Sequence, residues 1–218
     1  MSTRRRSVMQ GLYAITGDDP AFFLNLDQSI TAALVGGANL VQYRDKSGAD
    51  FLTKKSRASQ IKVLCQHHGV DLIINDDVAL ALAVDAYGVH LGNADMSLTD
   101  ARRHLGAQRI IGVSCYNELE RALAAQQQGA DYVAFGRFFS SGSKPAAVLA
   151  SLDLLSQARP LLHIPIVAIG GITCDNAKIL IEHGADAVAV IQGIFSQKDI
   201  RQAARCFQQV FIKHAVSH

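Results

Sequence analysis

Gly184-Ala185-Asp186-Ala187-Val188-Ala189-Val190 is the stretch whose reading decides the fold. A glycine closes a helix-like segment, where a left-handed C-terminal cap belongs. A small residue and an acidic residue follow. Then comes an unbroken apolar run of strand length, the pattern of a parallel strand covered on both faces. The same phrase opens at Gly37-Ala38-Asn39, Gly69-Val70-Asp71 and Gly129-Ala130-Asp131. The repeating unit is therefore helix, glycine, strand.

Working outward from these phrases gives eight expected strands: Leu12–Thr16, Leu40–Tyr43, Leu72–Ile74, Gly88–Leu91, Arg109–Val113, Tyr132–Phe135, Ile166–Ile169 and Ala187–Val190. Helical segments alternate with them. Pro20 to Gly36 supplies the first and Ala203 to His214 the last. Ser47-x-x-Asp50, Ser97-x-x-Asp100 and Asn117-x-x-Glu120 read as helix starts, with Thr173 capping another. After the first of these starts, Phe51, Ala58, Ile61 and Cys65 fall at the spacing of a buried helical face. Eight alternating units in one domain predict an α/β fold of the (β/α)8 TIM-barrel type. An open doubly wound sheet is the runner-up, disfavoured because no G-x-G-x-x-G follows the first strand. The domain is expected to span residues 1–218, with 1–10 a flexible tail.

Composition narrows the function classes. The chain has 218 residues, 49% hydrophobic and only 18% charged, which implies a large core. A net charge of +2 is too small to argue for nucleic acid. No apolar run reaches the roughly 18 residues of a membrane span. The basic run Arg4-Arg5-Arg6 lacks the apolar region of an export signal. Cys65, Cys115, Cys174 and Cys206 show no metal or redox spacing, so reduced thiols and a cytoplasmic location are expected.

In such a barrel, chemistry sits at the C-terminal ends of the strands. There the sequence offers Gln42, Arg44 and Lys46, which strand alternation puts on one face as an anion receptor. Asn75-Asp76-Asp77 end the third strand, and Asp95 follows the fourth. Asp76 and Asp95 beside cations suit a hard ion such as Mg2+, which takes one or two carboxylates together with substrate phosphates; Asp77 reads as a helix cap. Ser114 ends the fifth strand. Gly170-Gly171 and Gln192-Gly193 end the seventh and eighth, where backbone N–H groups often cradle phosphate. With Lys144 in the sixth loop, this equipment suits two phosphorylated substrates, one a diphosphate. His90, in an apolar run, reads as a core or supporting histidine rather than a catalytic one.

Gln42-x-Arg44-x-Lys46, Asn75-Asp76, Gly88-Val89-His90-Leu91-Gly92 with Asp95, Gly112-Val113-Ser114, Ser143-Lys144 and Ala168-Ile169-Gly170-Gly171-Ile172 occur in one order. Over nearly its whole length the chain resembles the thiamine phosphate synthase family. The resemblance implies a transferase that joins a pyrimidine methyl diphosphate to a thiazole ethyl phosphate, or to its carboxylated tautomer, and releases pyrophosphate. It implies Mg2+ on Asp76 and Asp95. The donor would meet Gln42, Tyr43, Arg44, Asp45, Lys46, Asn75, Ser114 and Lys144, with Arg44, Lys46, Ser114 and Lys144 acting in catalysis. The thiazole phosphate would meet Ser141, Gly142, Ser143, Gly171, Ile191 and Gln192. Two small phosphorylated heterocycles are thus the expected partners, and a homo-oligomer is left open. The chain departs from the family pattern at Arg137, at the serines 141 and 143 where threonines are usual, and at Gln192 where serine is common. A thiazole phosphate tautomerase-like barrel needs no diphosphate site. A non-enzymatic paralogue should have lost Asp76, Asp95 or Lys144.

Overall fold

The computed structural model describes residues 9–17, 20–140 and 149–216. Its strands are β1 (Gly11–Ile15), β2 (Ala38–Tyr43), β3 (Asp71–Asn75), β4 (Gly88–Leu91), β5 (Ile110–Tyr116), β6 (Tyr132–Gly136), β7 (Ile166–Ile169) and β8 (Ala187–Val190). All pair in parallel with their sequence neighbours, and β1 closes on β8. The first expected helix is two, α1 (Pro20–Leu24) and α2 (Leu26–Val35), parted at Asn25. Then come α3 (Phe51–His67), α4 (Val78–Ala83), α5 (Leu98–Leu105) and α6 (Leu119–Gln127). The rest are α7 (Leu152–Ala158), α8 (Cys174–Glu182), α9 (Gln192–Phe195) and α10 (Ile200–Val216). This is a (β/α)8 barrel, and no helix among the described residues is long and apolar enough to cross a membrane.

Strand alternation separates two cores. Leu12, Val41, Ile74, Val89, Val133 and Val188 face outward into the layer between sheet and helices. Tyr13, Leu40, Ile73, Ile110, Tyr132, Val167 and Ala189 face inward and fill the lumen. Met9 is buried with the lumen residues, so it is not part of the flexible tail expected over 1–10, whose first eight positions lie outside the described residues. Gly112 is what admits the Tyr132 ring: a Cβ there would lie inside it.

The Gly-Ala-Asp phrase turns out to be a latch at the N-terminal end of the barrel. Asp131, just before β6, accepts from the Ile111 N–H of β5 at 2.8 Å and pairs with Arg102 of α5. Asp186, before β8, accepts from the Ile166 N–H of β7 at 2.7 Å and pairs with Arg159. Asn39 in β2 does the same for the Leu12 N–H of β1 at 3.1 Å. A buried strand N–H with no partner would cost about 1–3 kcal/mol, and the fixed acidic or amide residue removes that cost.

The helix expected to start at Asn117-x-x-Glu120 does so, α6 running from Leu119 with Glu118 at its N-cap and no side-chain cap. Two sequence expectations are corrected. Asp50, not Ser47, caps α3, accepting from Thr53 N at 2.7 Å; Ser47 is held by Asp45 instead. The four cysteines are not all thiols: Cys174 and Cys206 form a disulfide with Cα atoms 5.9 Å apart, because α10 packs across α8. Cys65 and Cys115 are buried thiols, and burial pushes both up to about 12. Ala58, Ile61 and Cys65 form the buried face of α3, while Phe51 is 45% exposed.

Candidate active site at the strand C-termini

β2 delivers the cations. Beyond Tyr43 the chain is pinned by Thr16, whose hydroxyl accepts from Arg44 N at 2.8 Å and donates to Arg44 O at 2.7 Å. Asp45 turns back into the wall. It accepts from the Tyr43 hydroxyl at 2.7 Å, from Arg57 at 2.8 Å, from Ser47 N at 2.9 Å and from the Ser47 hydroxyl at 2.6 Å. Burial would raise this carboxyl, but the hydrogen bonds from Ser47, Tyr43 and Arg57 hold it down at about 2. The Arg57 guanidinium also lies over the Phe23 ring, 4.1 Å from its centroid. Tyr43 and Asp45 are thus occupied with each other, on the side of the strand facing the helices. Arg44 and Lys46 are the cations left at the strand end, half-buried and exposed respectively.

Lys46 reaches to β3, its ammonium 2.6 Å from Asp76 Oδ2. Asp76 sits at φ 63°, a left-handed turn rare outside glycine, asparagine and aspartate. Its N–H donates to His90 O at 2.8 Å, which ties the turn to β4. Asp77 caps α4 through Leu80 N at 2.8 Å, as expected. Asp95 loops back to accept from Gly92 N at 2.6 Å, and its carboxyl meets that of Asp76. Burial disfavours charge on both. At Asp76 the Lys46 ammonium outweighs it and holds the carboxyl below its usual range. At Asp95 burial and the Asp76 carboxylate together push it up. Two carboxylates in contact, one of them forced toward its neutral form, are a donor set that a divalent cation would complete. No cluster of three or more metal-ligating side chains occurs among the described residues, so the remaining ligands would be water and substrate oxygens.

Under this rim lies a chain of hydrogen bonds across the lumen. Gln42 Nε2 donates to the Tyr13 hydroxyl at 2.7 Å, and that hydroxyl lies 3.0 Å from the Tyr132 hydroxyl. His90 Nδ1 is 3.0 Å from the Tyr132 hydroxyl, and His90 Nε2 is 2.9 Å from Ser114 Oγ. The Tyr132 and His90 rings stack, with centroids 5.5 Å apart. Burial drives both tyrosines above their ordinary range and takes His90 down to about 4. The whole chain is uncharged at neutral pH. His90 is accordingly a supporting residue, as its setting in the sequence implied. Tyr13 and Tyr132 gave no signal there: a tyrosine in an apolar strand reads as core until the lumen brings its hydroxyl to a partner.

The opposite rim is backbone. Gly170 and Gly171 both have positive φ, at 102° and 64°. A Cβ on Gly171 would come within 2.6 Å of the Phe139 and Ser140 carbonyls, so the loop after β6 lies directly against it. Asn176 holds this turn, accepting from Thr173 N at 2.8 Å and donating to Gly171 O at 3.1 Å. Ile191 is half-buried and Gln192 exposed at the start of α9. Ser141, Gly142, Ser143 and Lys144 lie outside the described residues. A separate cleft of about 440 Å³, lined by residues such as Lys62, Asp85 and Arg109, opens at the other end of the barrel. Those three side chains pair with one another there, away from the strand ends where barrel chemistry occurs.

Comparison with known proteins points the same way. The family model described as thiamine monophosphate synthase matches residues 12–194. The chain is 52% identical over 205 residues to the thiamine-phosphate synthase of Nitrosococcus oceani, covering 94% of each chain. It is 50% identical over 203 residues to that of Thioalkalivibrio sulfidiphilus, covering 93% of this chain and 96% of the relative. The solved thiamine phosphate pyrophosphorylase from Pyrococcus furiosus superposes with a TM-score of 0.86 at 33% identity, covering 95% of this chain and 98% of its own.

Proposed function

The chain belongs to the thiamine monophosphate synthase family, and from that premise we propose that it joins a pyrimidine methyl diphosphate to a thiazole ethyl phosphate at the strand C-termini. The observation that carries this reading is that Lys46, Asp76 and Asp95 meet at the strand ends, where the Asp76 N–H is tied to His90 O beside the lumen network ending at Ser114. Cations, paired carboxylates and a neutral hydroxyl meet at one edge of the barrel mouth.

The reaction needs a leaving group more than a nucleophile activator. The C–O bond between the pyrimidine methylene and its diphosphate breaks, and the bonding pair leaves on oxygen. The aminopyrimidine ring stabilises the methylene cation, and the thiazole nitrogen lone pair then forms the new C–N bond. Arg44 and Lys46 face the charge that grows on the diphosphate; fixed charge of this kind is worth about 10²–10³ in rate per group. Gln42, Asn75 and Ser114 hold the donor. Tyr43 and Asp45 hold the strand end that carries Arg44 and Lys46. Asp76 and Asp95 would hold Mg2+, and the chemistry it supplies there is neutralisation of diphosphate oxygens. Gly171, Ile191 and Gln192, with Ser141, Gly142 and Ser143, receive the thiazole phosphate through backbone and hydroxyl donors. The rest of the rate comes from holding the two rings in contact. Lys144 is assigned to the diphosphate by its place in the family motif. We place the enzyme in the cytoplasm, where both phosphorylated heterocycles would be found.

The test is direct. Protein, Mg2+ and both substrates should yield thiamine phosphate, detected by fluorescence after oxidation. No product under these conditions overturns the reading. Lys144→Ala should lower kcat by roughly 10²–10³, as for a contact made in the transition state; a kcat within about twofold of the parent would make Lys144 a solvated lysine. A tautomerase would act on the thiazole phosphate with the diphosphate omitted.

A further inference from the structure

The lumen network has a direction, and the direction has a consequence for Ser114. A tyrosine hydroxyl carries one proton and can donate once. Tyr13 accepts from the Gln42 amide nitrogen, which leaves its own proton for the Tyr132 hydroxyl. Tyr132, having accepted, has its proton for His90 Nδ1. A neutral imidazole that accepts at Nδ1 carries its proton on Nε2. His90 Nε2–H therefore donates to Ser114 Oγ. Ser114 accepts from below, and its single proton is left to point out of the lumen, toward the strand ends.

We propose that Tyr13, Tyr132 and His90 are positioning residues that lock His90 as the Nε2–H tautomer and so make Ser114 a dedicated hydrogen-bond donor to the bound pyrimidine diphosphate. The inference rests on the assignment of Ser114 to the donor site. Only two polarities of this chain of groups are self-consistent. In the reverse one the Gln42 amide oxygen would face Tyr13, His90 would carry its proton on Nδ1, and Ser114 would spend its proton on His90 Nε2. Gln42 turns its nitrogen to Tyr13, which selects the first. The burial of Gln42 at 2% and His90 at 9% exposure keeps water from breaking the sequence of donors. Gly112 is part of the device, because the space left by its missing side chain is where the Tyr132 ring stands between β4 and β6.

Nitrogen-15 spectra of the ligand-free protein, labelled at its histidine rings and assigned with His90→Gln, read the tautomer without any reaction. Nε2–H at His90 is expected, and Nδ1–H overturns the wiring even if the enzyme makes thiamine phosphate normally. Kinetics supply the second readout. Tyr132→Phe should release the tautomer and lower kcat/KM for the diphosphate donor about tenfold, the scale of one hydrogen bond, with KM for the thiazole phosphate unchanged. His90→Gln keeps an N–H near the Nε2 position and should retain several-fold more activity than His90→Asn, which does not reach Ser114. Equal losses in the two folded variants, or an equal rise in both KM values for Tyr132→Phe, would mean the residues only fill the lumen.

Discussion

The two rims of the barrel mouth hold their ligand-facing groups by different means. On the β2–β5 side the groups proposed to meet the diphosphate are side chains, braced by other side chains: Thr16 on the Arg44 backbone, Asp45 under the strand end, His90 under Ser114. On the β7–β8 side the groups proposed to receive phosphate are peptide N–H groups of glycines. They are braced through the turn, by Asn176 on Gly171 and by the disulfide that fixes the start of α8 to α10. A side-chain receptor suits a leaving group whose charge changes during the reaction, because point charges can be aimed at it. A backbone receptor suits a phosphate that stays what it is.

The largest effect should come from breaking the side-chain rim at its charged centre. Asp76→Ala should cut turnover by about 10³, near the upper scale for a lost charge contact, with an unchanged melting curve. Full turnover of that variant in excess chelator would remove the metal assignment.

Next comes the brace of the other rim. A disulfide between cysteines 32 residues apart contributes about 4 kcal/mol in the chain-entropy account. A dithiol reductant should lower Tm by several degrees and raise KM for the thiazole phosphate more than for the diphosphate. An effect on donor KM alone would reverse the comparison.

Asp45→Asn tests the brace under Arg44. The folded carboxyl sits at about 2 against an ordinary 3.8, so its ionised form stabilises the fold by about 2 kcal/mol. The folded value is depressed. The contribution is therefore full above pH 4 and fades as pH falls toward 2. Urea melts of parent and variant should differ by about 2 kcal/mol at pH 7 and converge near pH 2; a gap that does not narrow would mean the hydrogen bonds survive protonation.

The smallest effect is expected at Gly171→Val. The new side chain would press on the Phe139 and Ser140 carbonyls rather than fill empty space, displacing the loop after β6. KM for the thiazole phosphate should rise about tenfold, or about 1.4 kcal/mol, with donor KM little changed. Equal rises would place the cradle elsewhere.

The barrel was legible because its signals are local. A buried parallel strand and a glycine cap each lie within seven residues, and β4, β7 and β8 fall at the bounds read from sequence. The charged rim was legible for the same reason: Gln42, Arg44 and Lys46 are one stretch. What could not be read depends on closure. Cys174 and Cys206 meet only because α8 and α10 pack together. Tyr13, Gln42, His90, Ser114 and Tyr132 sit on five strands, and only the closed lumen makes them one network. The break at Asn25 was missed because the apolar pattern runs through it.

The Asn39, Asp131 and Asp186 latches sort the loops at the N-terminal end into two kinds. Some lie inside a latched pair of strands, such as 128–131 and 183–186. Others lie between pairs, such as 68–70 and 106–109. New chain ends opened by circular permutation at 68–70 would leave every latch, with any arginine paired to it, in one continuous segment, whereas ends at 106–109 would part Arg102 from Asp131. Ends opened at 128–131 or 183–186 would free the very residue that holds the preceding strand. The barrel is continuous around its circumference, yet as a chain it is divisible only at certain places.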